Sequence, residues 1–161
     1  MAAQQDWLNA FNTEICKDFD EKWILSEVED LPNDQGWRRF TDKAKVKFKC
    51  SHCDNKWTSL KGQVIFLYRL KPKRKKGEVK MFLPGQMCRY CDEDFESPKW
   101  YNKEMLKVLG NLQQMIDWKL YGGDRPERLN KGQRGGRMRS RHESDKCQAC
   151  RMGICGKSDT N

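Results

Sequence analysis

The sequence of 161 residues predicts an α+β fold, in which a small antiparallel β meander packs with an N-terminal and a central α-helix. Apolar residues recur every three or four positions near the N-terminus and again after residue 100, which is the period of amphipathic helices. Between these stretches apolar residues alternate with lysine and arginine, as in half-buried strands. Only 37% of the residues are hydrophobic, so the core is small and needs reinforcement beyond apolar burial.

The first element is a helix over residues 4–20. Its buried stripe is formed by residues about four positions apart, with acids and amides between them: Trp7, Leu8, Phe11, Ile15 and Phe19. Cys16 lies on the same helix and is interpreted as a small core residue. Because turn-forming residues follow within 31–37, we predict that residues 1–36 are a helix and a turn that pack on the rest of the protein.

Three strands come next. The first runs from residue 37 to Cys50, with basic residues between its apolar ones. The second, residues 62–70, is rich in β-branched and aromatic residues, and the third, residues 78–83, again has a period of two. The connection between the second and third strands forms a long basic hairpin tip, which contains Lys71, Lys73, Arg74, Lys75 and Lys76.

A second helix begins at Ser97 or Asn102 and ends at Gly122, which is a suitable stop. Its apolar stripe consists of Met105, Val108, Leu109, Leu112, Met115, Ile116 and Leu120. Core packing is a simpler interpretation of this stripe than a ligand groove. We therefore expect the helix to cover one face of the sheet, within a domain of residues 37–121.

The composition changes after this domain. Residues 122–141 contain glycine-spaced arginines and almost nothing to bury, which predicts a disordered basic linker. Residues 142–161 carry a third cysteine pair and a polar tail.

Six of the eight cysteines form three CxxC pairs, and the first two pairs follow predicted strands. Zinc prefers four tetrahedral ligands, and a CxxC turn presents two thiolates to one side of the ion. The hairpin between the pairs brings Cys50 and Cys53 back to Cys88 and Cys91. A thioredoxin-like redox pair would open a helix in a βαβ unit, which the sequence lacks. The fold is therefore predicted to be zinc-ribbon-like, with Zn²⁺ as its stabilising cofactor.

The third pair, Cys147 and Cys150, leaves two alternatives open. With His142 and Cys155 it can form a Cys₃His zinc site of its own, or it can fold back and complete a site with one of the earlier pairs. The total of candidate ligands favours two zinc ions. His52, inside the first pair, is interpreted as an exposed neighbour rather than a ligand.

No catalytic set accompanies these cysteines. A zinc ion held by four protein ligands has no position for a reacting water, and the sequence contains neither a phosphate-binding glycine loop nor an HExxH motif. We therefore predict that the protein is not an enzyme.

The formal net charge of +9 favours anionic partners such as nucleic acid, acidic protein surfaces or a membrane face, although a basic but inert surface fits equally well. Candidate phosphate contacts are the hairpin-tip residues named above, together with Arg134, Arg137 and Arg139. No signal peptide is present and the longest apolar run covers only residues 64–68, so we expect a soluble, cytoplasmic protein.

Several stretches resemble the receptor-transporting proteins, which carry a 3CxxC-type zinc finger. They include WRRFTDKAKVKFKCSHCDNKW, GEVKMFLPGQMCRYCDEDF, LGNLQQMIDWKLYG and the terminal HESDKCQAC. The resemblance extends from about Trp7 to Cys155 and includes Trp57 after the first pair. It implies that the six CxxC cysteines bind zinc.

The resemblance also implies a chaperone-like accessory role, in which the protein helps odorant, taste or opioid-type seven-transmembrane receptors fold and reach the cell surface. The alternative that it implies is an RNA-binding antiviral zinc-finger protein. Many family members end in a hydrophobic membrane anchor, whereas this sequence ends at GKSDTN. We therefore expect a peripheral location at the endoplasmic reticulum or plasma membrane, through partners or through an anchor missing from this chain.

Overall fold

The computed structural model describes residues 2–31, 33–91, 93–131 and 142–155. The helices are α1 (Ala2–Glu14), α2 (Asn102–Tyr121) and α3 (Gln148–Arg151). The strands are β1 (Lys22–Val28), β2 (Arg38–Lys49), β3 (Lys56–Lys71), β4 (Lys76–Phe82), β5 (Gln86–Met87), β6 (Phe95–Glu96) and β7 (Lys99–Trp100). The predicted α+β class is confirmed.

The main sheet has the order β1-β4-β3-β2-β7, and β5 pairs with β6 in a small ribbon. The pairs β2–β3 and β3–β4 are antiparallel, as the meander requires. Strand β1 was not predicted. It pairs with β4 in parallel, and its Trp23 and Leu25 are buried in alternation with exposed neighbours. Helix α1 also ends earlier than predicted, at Glu14, and a short 3₁₀ turn follows it.

The main core lies between the two long helices and one face of the sheet. It contains the predicted stripe of α2, with Val108, Leu109, Leu112 and Ile116 fully shielded from solvent. Burial of each such side chain stabilises the fold by roughly 1.5–3 kcal/mol. Helix α2 ends at Gly122, whose φ of 72° is the left-handed conformation that glycine adopts without strain.

Polar contacts fix α2 to the sheet and to the chain that follows it. The Asn111 side chain donates to Asp42 Oδ2 over 2.8 Å and to the Asn130 carbonyl over 2.7 Å, and the Asn130 amide donates back to Asn111. Residues 122–131 form no helix or strand, yet Asn130 is tied to α2. The remainder of the predicted disordered linker, including Arg134, Arg137 and Arg139, lies outside the described residues.

The opposite face of the sheet carries a second, smaller core. Ile65 of β3 and Phe82 of β4 pack there against Cys147, Ala149 and Ile154. The segment 142–155 thus covers one part of this face, which places the third cysteine pair against the sheet.

Candidate metal centres

The first two cysteine pairs meet at one end of the sheet. Cys50 and Cys53 lie in the turn between β2 and β3, and Cys88 and Cys91 lie in the turn after β5. These four residues form what we call the Cys₄ cluster. Their sulfur atoms all lie within 4.8 Å of one another, and Cys53 Sγ is 3.6 Å from Cys88 Sγ. Sulfur atoms about 2.3 Å from a tetrahedral zinc ion are about 3.8 Å apart, so the cluster fits a zinc site.

Backbone geometry shapes the first of these turns. The Cys50 amide donates to the Asn55 carbonyl over 2.8 Å, which closes the turn, and Asp54 adopts a positive φ of 62°. Asp and Asn tolerate this conformation better than other non-glycine residues do. The Asn55 side chain then donates to Cys88 Sγ over 3.6 Å, so this turn also supports a sulfur of the other pair.

Trp57 packs the first turn against the sheet. Its ring stacks on Phe48 with centroids 5.2 Å apart, and its Nε1 donates to Gln86 Oε1 over 3.1 Å. The Gln86 amide donates in turn to Ser59 Oγ over 2.8 Å. The support from Ser59 was missed, because its partner lies 27 positions away in sequence.

The environment of the Cys₄ cluster lowers the pKa of one of its thiols and raises the pKa of another. Burial raises the pKa of Cys88, but the backbone amides of Tyr90 and Cys91 and the Asn55 side chain outweigh it and bring the pKa to about 6. Hydrogen bonds with Cys53 and Cys50 raise the pKa of Cys91. Without a cation, one thiolate in the cluster thus opposes ionisation of another, and a divalent metal removes that opposition.

The third pair forms a separate cluster with its neighbours. We call it the Cys₃His cluster; it consists of His142, Cys147, Cys150 and Cys155, whose ligand atoms lie within 4.8 Å of one another. His142 Nε2 is 3.4 Å from Cys150 Sγ and 3.7 Å from Cys155 Sγ. A tetrahedral zinc ion places nitrogen and sulfur ligands about 3.6 Å apart, so this cluster also fits a zinc site.

Ionisation in the Cys₃His cluster depends mainly on burial. Burial, and then the positive charge of Lys61, lower the pKa of His142 and favour the neutral imidazole that binds metals. Burial, and then the contact with Cys150, raise the pKa of Cys155 to about 12.

The Cys₃His cluster is attached directly to the turn that carries Cys88. Gln86 and Cys147 form a β-bridge, and the Gln148 amide donates to the Gly85 carbonyl over 3.1 Å. The Gly85 amide donates back to Gln148 Oε1 over 2.8 Å. Of the two alternatives for the third pair, the geometry favours a site of its own rather than one shared with an earlier pair.

The other predicted residues lie outside both clusters. His52 is exposed, with Nε2 3.3 Å from carboxylate oxygens of Glu93 and Asp94. Cys16 is partly buried, and its Sγ donates to the Trp23 carbonyl over 3.3 Å.

The hairpin tip projects from the end of β3 and β4. Lys73, Arg74 and Lys75 are exposed, whereas Lys71 is half-buried and its Nζ pairs with Glu78 at 2.9 Å. Lys76 is half-buried as the first residue of β4.

A family model described as a zinc-binding domain, of the 3CxxC zinc-ribbon type, matches residues 43–153. Human receptor-transporting protein 4 is 31% identical over 76% of this chain, mouse receptor-transporting protein 3 is 31% identical over 86%, and mouse receptor-transporting protein 4 is 28% identical over 84%. The chain spans 51%, 30% and 57% of these relatives, respectively. No solved structure matches.

In the parts of the chain that the structure describes, no helix combines the length and the apolar character that crossing a membrane requires.

Proposed function

Because the chain belongs to the 3CxxC zinc-binding family of the receptor-transporting proteins, we propose that it is a zinc-binding accessory protein that promotes the folding and cell-surface transport of G-protein-coupled receptors. One observation carries the proposal: the family match over residues 43–153 contains the whole Cys₄ cluster and all of the Cys₃His cluster except Cys155. The relatives that share this region are named for receptor transport.

Both clusters are proposed to hold structural zinc ions. Each offers four protein ligands, namely four cysteines in one and three cysteines with a histidine in the other. Four protein ligands leave no open position at which zinc activates water, so we assign the ions to the stability of the fold. The protein would then act by binding, through surfaces that the zinc sites hold in place, and not as an enzyme.

The proposed partners are the cytoplasmic parts of seven-transmembrane receptors of the odorant, taste or opioid type. The protein would meet them at the endoplasmic reticulum or the plasma membrane. The basic character of the chain, with a net charge of +9, suits acidic protein surfaces in these locations.

Co-expression tests the proposed function. Receptors of the three types that reach the surface poorly are expressed with the protein, and surface receptor is measured by flow cytometry. Wild type should raise the signal, Cys50→Ser should not, and Cys16→Ser serves as a matched control because Cys16 lies outside both clusters. No increase for any receptor, with the protein folded and zinc-loaded, would rule out the proposal.

RNA binding is the second candidate function. The observation that favours it is the exposure of Lys73, Arg74 and Lys75 at the hairpin tip, where they can meet phosphates. Binding to single-stranded RNA should weaken steeply with salt and should be lost when these residues and Lys76 are changed to glutamine. The candidate fails if RNA does not bind at low ionic strength.

A further inference from the structure

Part of the sheet face that points away from α1 and α2 remains outside both metal centres. Phe40, Phe66 and Val79 point toward the helices, so the residues that alternate with them point the other way. The strand register places Arg39 beside Leu67 and Leu67 beside Lys80, and in the next row Arg69 beside Glu78. We call Trp37, Arg39, Arg69 and Lys80 the cationic face.

The cationic face is organised around one indole ring. Arg69 Cζ lies 4.1 Å from the centroid of the Trp37 ring, and Lys80 Nζ lies 4.7 Å from it. Contacts of this length between a cation and an indole are attractive and hold the charged groups near the sheet. All four residues are half-buried, so part of each side chain is shielded from solvent.

The guanidinium groups of the face are incompletely paired. Nε and Nη2 of Arg39 and Nε of Arg69 are shielded from solvent and find no hydrogen-bond partner among the described residues, whereas Nη2 of Arg69 donates to Glu78 Oε1. Nε and Nη2 form the side of a guanidinium that binds both oxygens of a carboxylate at once, and we call this pair of N–H donors the fork of Arg39. Buried N–H groups without acceptors are rare in folded proteins. We therefore expect an acceptor from outside the described residues at these groups.

The two strand rows of this face contain little negative charge. Among the described residues that the register places in these two rows, Glu78 is the one acid. Its Oε1 already contacts Lys71 Nζ at 2.9 Å and Arg69 Nη2 at 3.5 Å. The fork of Arg39 therefore receives no carboxylate from these two rows, and an anion from outside reaches its shielded N–H groups once the side chain turns outward.

We propose that the cationic face binds an acidic peptide segment of a partner protein, with an Asp or Glu carboxylate on the fork of Arg39. The choice of a protein as the partner rests on the proposed function. Because the residues of this face are half-buried and flanked by the segment 142–155 that packs on Ile65 and Phe82, a narrow extended chain reaches them more readily than a flat membrane does. The ring of Trp37 is already in contact with two cations, with which a stacking nucleotide base would have to compete.

Fluorescence anisotropy with a labelled synthetic peptide of alternating Glu and Ser tests the proposal on the zinc-loaded protein. Arg39→Gln should weaken peptide binding by at least about tenfold, while Arg128→Gln, which removes the same charge from an exposed residue after α2, should change it less than about twofold. Arg39→Lys keeps the charge and loses the fork, and it should weaken binding nearly as much as Arg39→Gln. Zinc content and thermal melting confirm that each variant is folded.

Two further probes separate the alternative partners: single-stranded RNA and vesicles that contain phosphatidylserine. Tighter binding of either probe than of the peptide, with loss in Arg39→Gln, would overturn the proposal. Equal weakening by Arg39→Gln and Arg128→Gln, or no weakening by Arg39→Lys, would also overturn it, because charge alone would then explain binding.

NMR spectroscopy of the wild-type protein tests the proposal without any variant. Peptide saturation should shift the Nε–H resonances of Arg39 and Arg69 in NMR spectra, and unchanged resonances would refute the proposal. Peptide binding by a protein that fails to raise surface receptor would count against the proposed function alone, whereas receptor transport without peptide binding would count against the cationic face alone.

Discussion

Loss of the Cys₃His site is expected to detach residues 142–155 from the sheet and leave the rest of the fold in place. The perturbation is Cys155→Ser, which removes one of the four ligands of this cluster. On the sheet side, the segment is held by its packing on Ile65 and Phe82 and by the paired hydrogen bonds between Gly85 and Gln148.

The magnitude follows from what the segment buries. Burial of Ile65, Phe82 and Ile154 contributes about 7 kcal/mol, at roughly 1.5–3 kcal/mol for each side chain. Ordering the fourteen residues of the segment costs about 20 kcal/mol, at roughly 1–2 kcal/mol for each residue. The difference of about 13 kcal/mol lies within the roughly 10–16 kcal/mol that zinc supplies in zinc-finger peptides. The segment therefore stays on the sheet only while its zinc site is intact.

Zinc content and hydrogen exchange measure this effect. Wild type should hold two zinc ions per chain and Cys155→Ser one. The Gly85 and Gln148 amides should lose protection in the variant, while amides of β3 keep theirs. Cys16→Ser is the control, since it also removes a thiol and should retain both ions and full protection.

Two outcomes would refute the reasoning. If Cys155→Ser still held two ions, the assignment of ligands would be wrong. If it held one ion and the Gly85 amide stayed protected, apolar contacts alone would hold the segment, and the energies above would be misjudged.

Three further predictions concern the sheet and its supports. A Cβ at Gly77 would overlap the Trp23 indole, so Gly77→Ala should reduce the free energy of unfolding by about 1–3 kcal/mol, and an unchanged melting temperature would contradict this close contact. Trp57→Phe leaves the buried Gln86 oxygen without its donor and should cost about 1–3 kcal/mol in urea denaturation with two zinc ions still bound; full stability would show that the hydrogen bond contributes nothing. Burial raises the pKa of Tyr121 to about 12, above its ordinary value of 10.0, so the stability difference between wild type and Tyr121→Phe should be complete below pH 10 and disappear as the pH rises through 12. A difference independent of pH over this range would argue against the raised pKa.

Elements that are determined by residues close to one another in the chain could be predicted from the sequence. The stripe of α2 and its stop at Gly122 follow from residues within a few turns of one another, and the structure confirms both. The first two CxxC pairs were assigned to one zinc site because a hairpin returns the chain to its start, and the β3–β4 pairing does so.

Elements that depend on distant partners could not be predicted. Strand β1 pairs in parallel with β4, more than 50 positions along the chain, and its short apolar run carries no sign of that partner. The spacing of the third cysteine pair fits either a separate or a shared site, and only the three-dimensional grouping of its ligand atoms with those of His142 and Cys155 distinguishes them. The fork of Arg39 was missed because the absence of an acceptor shows only in three dimensions.

The bridge between Gln86 and Cys147 gives the two metal centres an order of assembly. Gln86 lies two residues before Cys88, so the surface that receives Cys147 exists only after the turn of the Cys₄ cluster has formed. During synthesis the ribosome releases the Cys₄ ligands before residues 142–155, which is the same order. A chain that emerges in zinc-poor conditions would accordingly fill the Cys₄ cluster first, and the completed Cys₃His cluster would mark a fully matured molecule.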